Sequence, residues 1–150
     1  MLRGLDDALR RHDLVSFATT STTPHTDLSA CSPGTVVLHI SLRDVYPDAV
    51  FSHHNVVDDA DHVCREQTSL HRAETNSGNR DFIATSIAEL ITGEHRAGRC
   101  RDKVTVFSPF GLGVLDIALA GFVRELAESA ERGERIDNFL PGQGAQLNTR

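Results

Sequence analysis

Three short segments carry residue types able to do chemistry, and each directly follows an apolar run. The first is Ala18-Thr19-Thr20-Ser21. Small hydroxyl residues let a ligand approach the backbone and offer it hydrogen bonds. The plain alternative is an ordinary Ser/Thr loop. The second is Ser41-Leu42-Arg43-Asp44. A carboxylate whose pKa is tuned by a closed pocket works as a general acid or base. Arg43 can pair with it, or hold a substrate carboxylate in a bidentate fork. The plain alternative is a surface ion pair beside a turn.

The third segment is Ser108-Pro109-Phe110-Gly111-Leu112-Gly113. Gly111-x-Gly113 follows an apolar run and opens a helical pattern, as a dinucleotide fingerprint does. The match then fails. Asp116 occupies the third glycine position and sets a negative charge where a pyrophosphate would lie. No strand ending in an acid follows about 20 residues later. The segment reads as a tight strand-to-helix turn with first-turn N–H groups open to a ligand.

Other chemistry-bearing residues read more plainly. The eight histidines include His53, His54 and His62, but none shows HxxxH or HExxH spacing, so no metal site is expected. His53 and His54 with Asp58 and Asp59 invite a His–Asp dyad. Neighbouring strand residues face opposite sides, and the acids suit helix capping better. The three cysteines, Cys31, Cys64 and Cys100, lie far apart and read as reduced thiols.

Composition narrows the function classes. The chain has 150 residues, 39% hydrophobic and 24% charged, which is globular. A net charge of −6 argues against a nucleic-acid partner. Arg96, Arg99, Arg101 and Lys103 make a local basic group, but Ala, Gly, Cys and Asp interrupt it, as in a solvated loop. No apolar run reaches about 18 residues, so no membrane span is expected. The acids of Met1-Leu2-Arg3-Gly4-Leu5-Asp6-Asp7 do not suit a signal peptide. A cytoplasmic location is the expectation.

The elements that must position these segments follow from periodicity. Strands are expected over 13–19, 35–41, 51–57 and 103–108, rich in β-branched residues that suit burial on both faces. Short helices are expected near 5–11, over 46–50 with Pro47 at the start, from Asp58 or Asp59 through His62, Val63 and Glu66, over 69–75, and over 86–91. The longest helix is expected from about Val114 to Arg132. Its stripe is Leu115, Leu119, Phe122 and Leu126, widened by Ala118 and Val123. Alternating strands and helices predict an α/β fold with a parallel sheet, whose ligands collect beyond the carboxyl ends of the strands.

Taken together, the motifs resemble a known family. Asp13-Leu14-Val15-Ser16-Phe17-Ala18-Thr19-Thr20, the run Val37 to Asp44, and the run Thr105 to Ala118 are similar to segments of the ornithine cyclodeaminase/mu-crystallin family. Ser41 to Asp44, His54-Asn55-Val56-Val57-Asp58-Asp59 and Ser77 to Ile83 resemble the branch that makes 2,3-diaminopropionate for siderophores and peptide antibiotics. The likeness runs from about Asp6 to Pro141.

The resemblance implies an NAD-dependent enzyme of amino-acid metabolism with a Rossmann-like domain. The diaminopropionate branch oxidises an N-substituted glutamate adduct to 2,3-diaminopropionate and 2-oxoglutarate. Ornithine cyclodeaminases remove and return a hydride, and mu-crystallin-like members bind without turnover. Both remain as alternatives. By this resemblance Asp44 is the catalytic aspartate. Thr19, Thr20, Leu38, His39, Ile40, Ser41 and Pro109 contact the cofactor, and Phe110 and Gly111 contact the substrate. Pro109 and Phe110 replace the serine and valine of cyclodeaminases, which counts against ornithine.

The family's glycine-rich pyrophosphate loop, ribose-binding acid and amino-terminal substrate domain have no counterpart among these residues. The expected layout is therefore a partial Rossmann-like domain over 1–112. A helix and a segment returning to a substrate and dimerisation domain follow over 113–141, and a flexible tail over 142–150. The implied partners are a small amino-acid substrate and, in the full-length family, a second copy in a homodimer. Uncovered apolar surface on the last helix, with poor solubility, is expected.

Overall fold

The computed structural model describes residues 4–94, 99–134 and 136. The chain divides into two units, 1–112 and 113–150. The first runs α1 (Leu5–Arg11), β1 (Leu14–Phe17), β2 (Val36–His39), α2 (Pro47–Val50), β3 (His54–Val57), α3 (Ala60–Val63), α4 (Ser69–Ser77), β4 (Ile83–Ser86), α5 (Ile87–Thr92) and β5 (Thr105–Ser108).

All strand pairs are parallel, in the order β1-β2-β5-β3-β4. After β2 the chain skips one sheet position, builds β3 and β4, and returns to fill the gap with β5. The α/β class follows from this alternation. The core holds Val37 and Val57, both fully buried, with Val106, Val50, Val63, Leu70 and Ala73. The β-branched Val37, Val57 and Val106 come from the strands, as a covered parallel sheet requires, and Val50, Val63, Leu70 and Ala73 come from α2, α3 and α4. Helix α2 packs against α4.

Local chemistry sets the helix bounds. Asp59 caps α3 by accepting the His62 N–H at 2.8 Å, and Thr68 caps α4 by accepting the His71 N–H at 3.0 Å. Ser86 and Glu89 form a capping box at the start of α5. Gly78 ends α4 in the left-handed conformation at φ 74.

Several expected bounds shift. The 51–57 strand begins only at His54, because Ser52 and His53 donate to the carbonyls of Ala49 and Val50 and keep 51–53 in a turn. The helix expected to reach Glu66 stops at Val63, since Glu66 and Gln67 adopt φ 51 and 56. Strand β4 was not anticipated. Its four residues show no alternation, and Ser86 ends this strand while capping the next helix. In the basic group, Arg99 is not simply solvated. Its guanidinium donates twice to the Gly34 carbonyl, at 3.0 and 2.6 Å. Arg96 and the stretch 137–150 lie outside the described residues.

The second unit contains α6 (Gly113–Ser129). Leu115, Leu119, Phe122 and Leu126 are each more than half exposed. No helix among the described residues is long and apolar enough to cross a membrane.

Burial separates two leucines sharply. Leu70 is 1% exposed and Leu119 is 62% exposed. Leu70→Ala is expected to cost about 2–5 kcal/mol in urea unfolding. Leu119→Ala is expected to change stability by less than about 0.5 kcal/mol. Equal losses would contradict this placement of the core.

Candidate functional site

The strand order sets the loops after β1, β2, β5 and β3 side by side at the carboxyl edge of the sheet. The loops after β1 and β2 are zipped together. Ile40 and Ser41 both donate their backbone N–H to the Phe17 carbonyl, at 3.0 and 3.1 Å. His25 and Thr26 donate theirs to the Asp44 carbonyl, at 2.8 and 3.1 Å. Thr26 and Val45 form a further parallel bridge. Leu42, buried at φ 64, reverses the chain between Ser41 and Asp44.

Asp44 sits at the centre with no exposed surface. Thr19 donates its hydroxyl to Oδ1 and Ser41 donates its hydroxyl to Oδ2. Nε2 of His39 lies 3.3 Å from Oδ2, and Nε2 of His25 lies 3.8 Å from Oδ1. Burial alone would raise the Asp44 pKa. The Ser41 and Thr19 hydrogen bonds outweigh it and hold the carboxyl below its ordinary value.

His39 is fully buried too. Burial pushes its pKa down to about 4, against the opposing pull of Asp44. Geometry agrees with a neutral ring. The Asp44 backbone N–H donates to Nε2 at 3.2 Å, and an imidazolium has no lone pair to receive it. Nδ1 therefore carries the proton and faces the Ser108 hydroxyl at 3.2 Å.

A second acid holds the β5 turn from the other side. Asp58 accepts the Gly111 N–H on Oδ2 at 2.7 Å and the Asp59 N–H on Oδ1 at 2.8 Å. Gly111 adopts φ 99, a conformation that favours glycine. The turn is thus fixed at Ser108 through His39 and at Gly111 through Asp58.

The expected site residues divide accordingly. Thr19, His39, Ser41 and Asp44 come together in one hydrogen-bonded knot. Thr20 and Ile40 are exposed at the loop tips, and Pro109 and Phe110 are half-buried in the β5 turn. Leu38 is half-buried inside β2, paired with Ser16 and Phe107. Arg43 does not pair with Asp44. Its guanidinium donates to the Glu66 carbonyl at 2.7 Å. His53 faces the Asp27 carbonyl at 3.0 Å, and Asp59 pairs with His62 at 2.8 Å. No group of three metal-ligating side chains occurs among the described residues.

Two residues were missed. His25 reads as part of a turn because its contact with Asp44 spans two loops. Asp58 reads as one of two interchangeable caps. The signal available for it was the doubled acid, since one helix start needs only one cap.

Residues 4–131 match the sequence model of the ornithine cyclodeaminase/mu-crystallin family. The N-((2S)-2-amino-2-carboxyethyl)-L-glutamate dehydrogenase of Staphylococcus aureus (strain NCTC 8325 / PS 47) is 20% identical over 135 residues, covering 89% of this chain and 40% of that protein. The crystal structure of CmnK superposes with a TM-score of 0.78 at 28% identity, over 91% of this chain and 42% of that one. The Thermococcus litoralis Δ1-pyrroline-2-carboxylate reductase, solved with NADH and L-proline, gives 0.77 at 20% identity, over 87% of this chain and 42% of that one. The last likeness is one of fold. The chain spans about two-fifths of the length of these relatives.

The buried histidine links this site to acid stability. The His39 pKa falls from 6.5 unfolded to about 4 folded, so the unfolded chain binds that proton first. Stability from this group is complete above pH 6.5 and is lost as pH falls toward about 4. His53, lowered mainly by burial, adds in the same direction. Asp44 adds its loss only below its ordinary 3.8. His39→Gln should flatten the decline between pH 6.5 and 4, read by urea unfolding across that range. An unaltered slope would show that His39 is not the linked group.

Proposed function

The chain belongs to the ornithine cyclodeaminase/mu-crystallin family, and we propose that it is the carboxyl-terminal part of an NAD-dependent oxidoreductase acting on an amino acid. The observation that carries this reading is the Asp44 knot, a buried carboxylate beneath loop tips at the carboxyl ends of adjacent parallel strands. Ligands of open α/β sheets bind at that edge.

The residues fit the nicotinamide half of the cofactor. Thr20 offers a hydroxyl and Ile40 an exposed apolar side chain, and Pro109 lies half-buried in the turn after β5. A glycine-rich diphosphate loop is absent from the described residues. When bound, NAD supplies the hydride acceptor. Removing hydride from a carbon attached to nitrogen leaves positive charge on the C=N unit. The fixed Asp44 carboxylate favours that charge. Thr19 and Ser41 hold the carboxylate in place, and His39 ties it to β5. Phe110 and Gly111 face the substrate. For the substrate itself, likeness to the glutamate-adduct dehydrogenase and the Ser41-Leu42-Arg43-Asp44 motif support an N-substituted glutamate that yields 2,3-diaminopropionate and 2-oxoglutarate.

Titration with nicotinamide mononucleotide tests the placement. Backbone NMR shifts are expected at Thr20, Ile40, Ser41 and Gly111. Shifts confined to other parts of the sheet would refute it. Calorimetry should find no micromolar affinity of the chain for whole NAD, and a micromolar Kd would refute the half-site reading.

A further inference from the structure

We propose that Ser69 is the positioning residue of Asp44, a clamp that grips the loop on both sides of the carboxylate. The inference rests on the oxidoreductase reading above for what Asp44 does. A carboxylate favours charge at one fixed point only if its backbone holds still, because two side-chain torsions are all that separate it from the chain. Thr19 and Ser41 hold the carboxylate oxygens, and His25 and Thr26 hold the Asp44 carbonyl. These contacts all come from the loops after β1 and β2. None of them takes up the carbonyls of Leu42 and Val45, which stand on either side of Asp44.

Ser69 takes both. Its backbone N–H donates to the Leu42 carbonyl at 2.7 Å, and its hydroxyl donates to the Val45 carbonyl at 2.6 Å. Among the described residues no other donor reaches either carbonyl. Leu42, Val45 and Ser69 are all buried, so these groups depend on each other for their hydrogen bonds. The two bonds enclose residues 42–45 with Asp44 inside. Sliding the loop in either direction breaks one of them. The first bond also holds the residue that stands at φ 64. Without it the Leu42 backbone is free to relax toward negative φ, and the approach of Ser41 to Asp44 is lost.

An ordinary helix start does not explain this serine. Thr68 already caps α4, so Ser69 has no capping duty. Its hydroxyl, on a residue 1% exposed, is directed to another loop. The base of the clamp is rigid as well. Thr68, fully buried, donates its hydroxyl to the Val63 carbonyl at 2.5 Å, and the Gln67 N–H donates to His71 Nδ1 at 3.1 Å. Arg43 adds a tie across the same gap, its guanidinium on the Glu66 carbonyl. The segment from Glu66 to Ser69 thus sets where the Asp44 loop lies, and the carboxylate is carried with it.

Amide hydrogen exchange of the whole chain, read by NMR, tests the clamp. Ser69→Ala removes the hydroxyl bond and suits a helix. The Asp44 N–H, which rests on His39 Nε2, should then exchange about threefold or more faster relative to the amides of β3. The nitrogen resonance of His39 Nε2 should move with it. A merely structural role would speed Asp44 and β3 alike and leave that resonance in place. Should Ser69→Ala fail to fold, Ser69→Cys keeps the size with a weaker donor and takes the same readout. Asp44 exchange that stays in step with β3 overturns the clamp. The nicotinamide mononucleotide shifts judge the cofactor reading separately. Shifts at Thr20 and Ser41 with Asp44 exchange in step would sink only the clamp, and the reverse would sink only the cofactor reading.

Discussion

A carboxylate without access to water must be compensated where it stands, or it will not stay ionised. At Asp44 the compensation comes from the hydroxyls of two loops, Thr19 after β1 and Ser41 after β2, while His39 accepts the Asp44 backbone N–H and carries its other nitrogen to β5. Each partner is fixed because Asp44 needs it, and Asp44 is fixed because the partners converge. Three strand ends are thereby locked into one geometry. The burial that makes this arrangement costly also makes it rigid, since a side chain sealed from solvent has no ready substitute for a lost partner.

The strand order explains why one turn receives two restraints. Strand β5 enters the sheet between β2 and β3. Its carboxyl end therefore meets the acid that follows β2 on one side and the acid that follows β3 on the other. Asp44 acts on it through His39 and Ser108, and Asp58 acts on it by accepting the Gly111 N–H. Neither acid is spent on a surface ion pair. Both serve to orient backbone and loop tips.

Much of the scaffold is legible in the residues themselves. Runs such as Thr35 to Ile40 and Val104 to Phe107 are too β-branched to be much else, and Gly78 and Gly93 mark helix ends by their need for positive φ. Asp44 is recognisable as central from its place at a strand end and from family likeness. Its partners are harder to read. Arg43 is adjacent in sequence but turned away, and His25 is distant in sequence but turned toward it. Periodicity describes which face of an element is wet. It carries no information about which two loops will close on each other. Strand β4 escaped for a related reason, because four residues at a sheet edge need no alternation and are defined by their pairing with β3.

The backbone at Leu42 narrows which side chains this loop accepts. At φ 64 a residue with a β-carbon carries about 1–2 kcal/mol of strain. Glycine would relax the backbone but empty a buried position. Asparagine would tolerate the angle but bring an amide into apolar surroundings. A β-branched residue would suit the core and worsen the backbone. Each replacement satisfies one demand by violating the other. The Asp44 loop therefore turns on a position where no single substitution meets both the backbone and the packing demand.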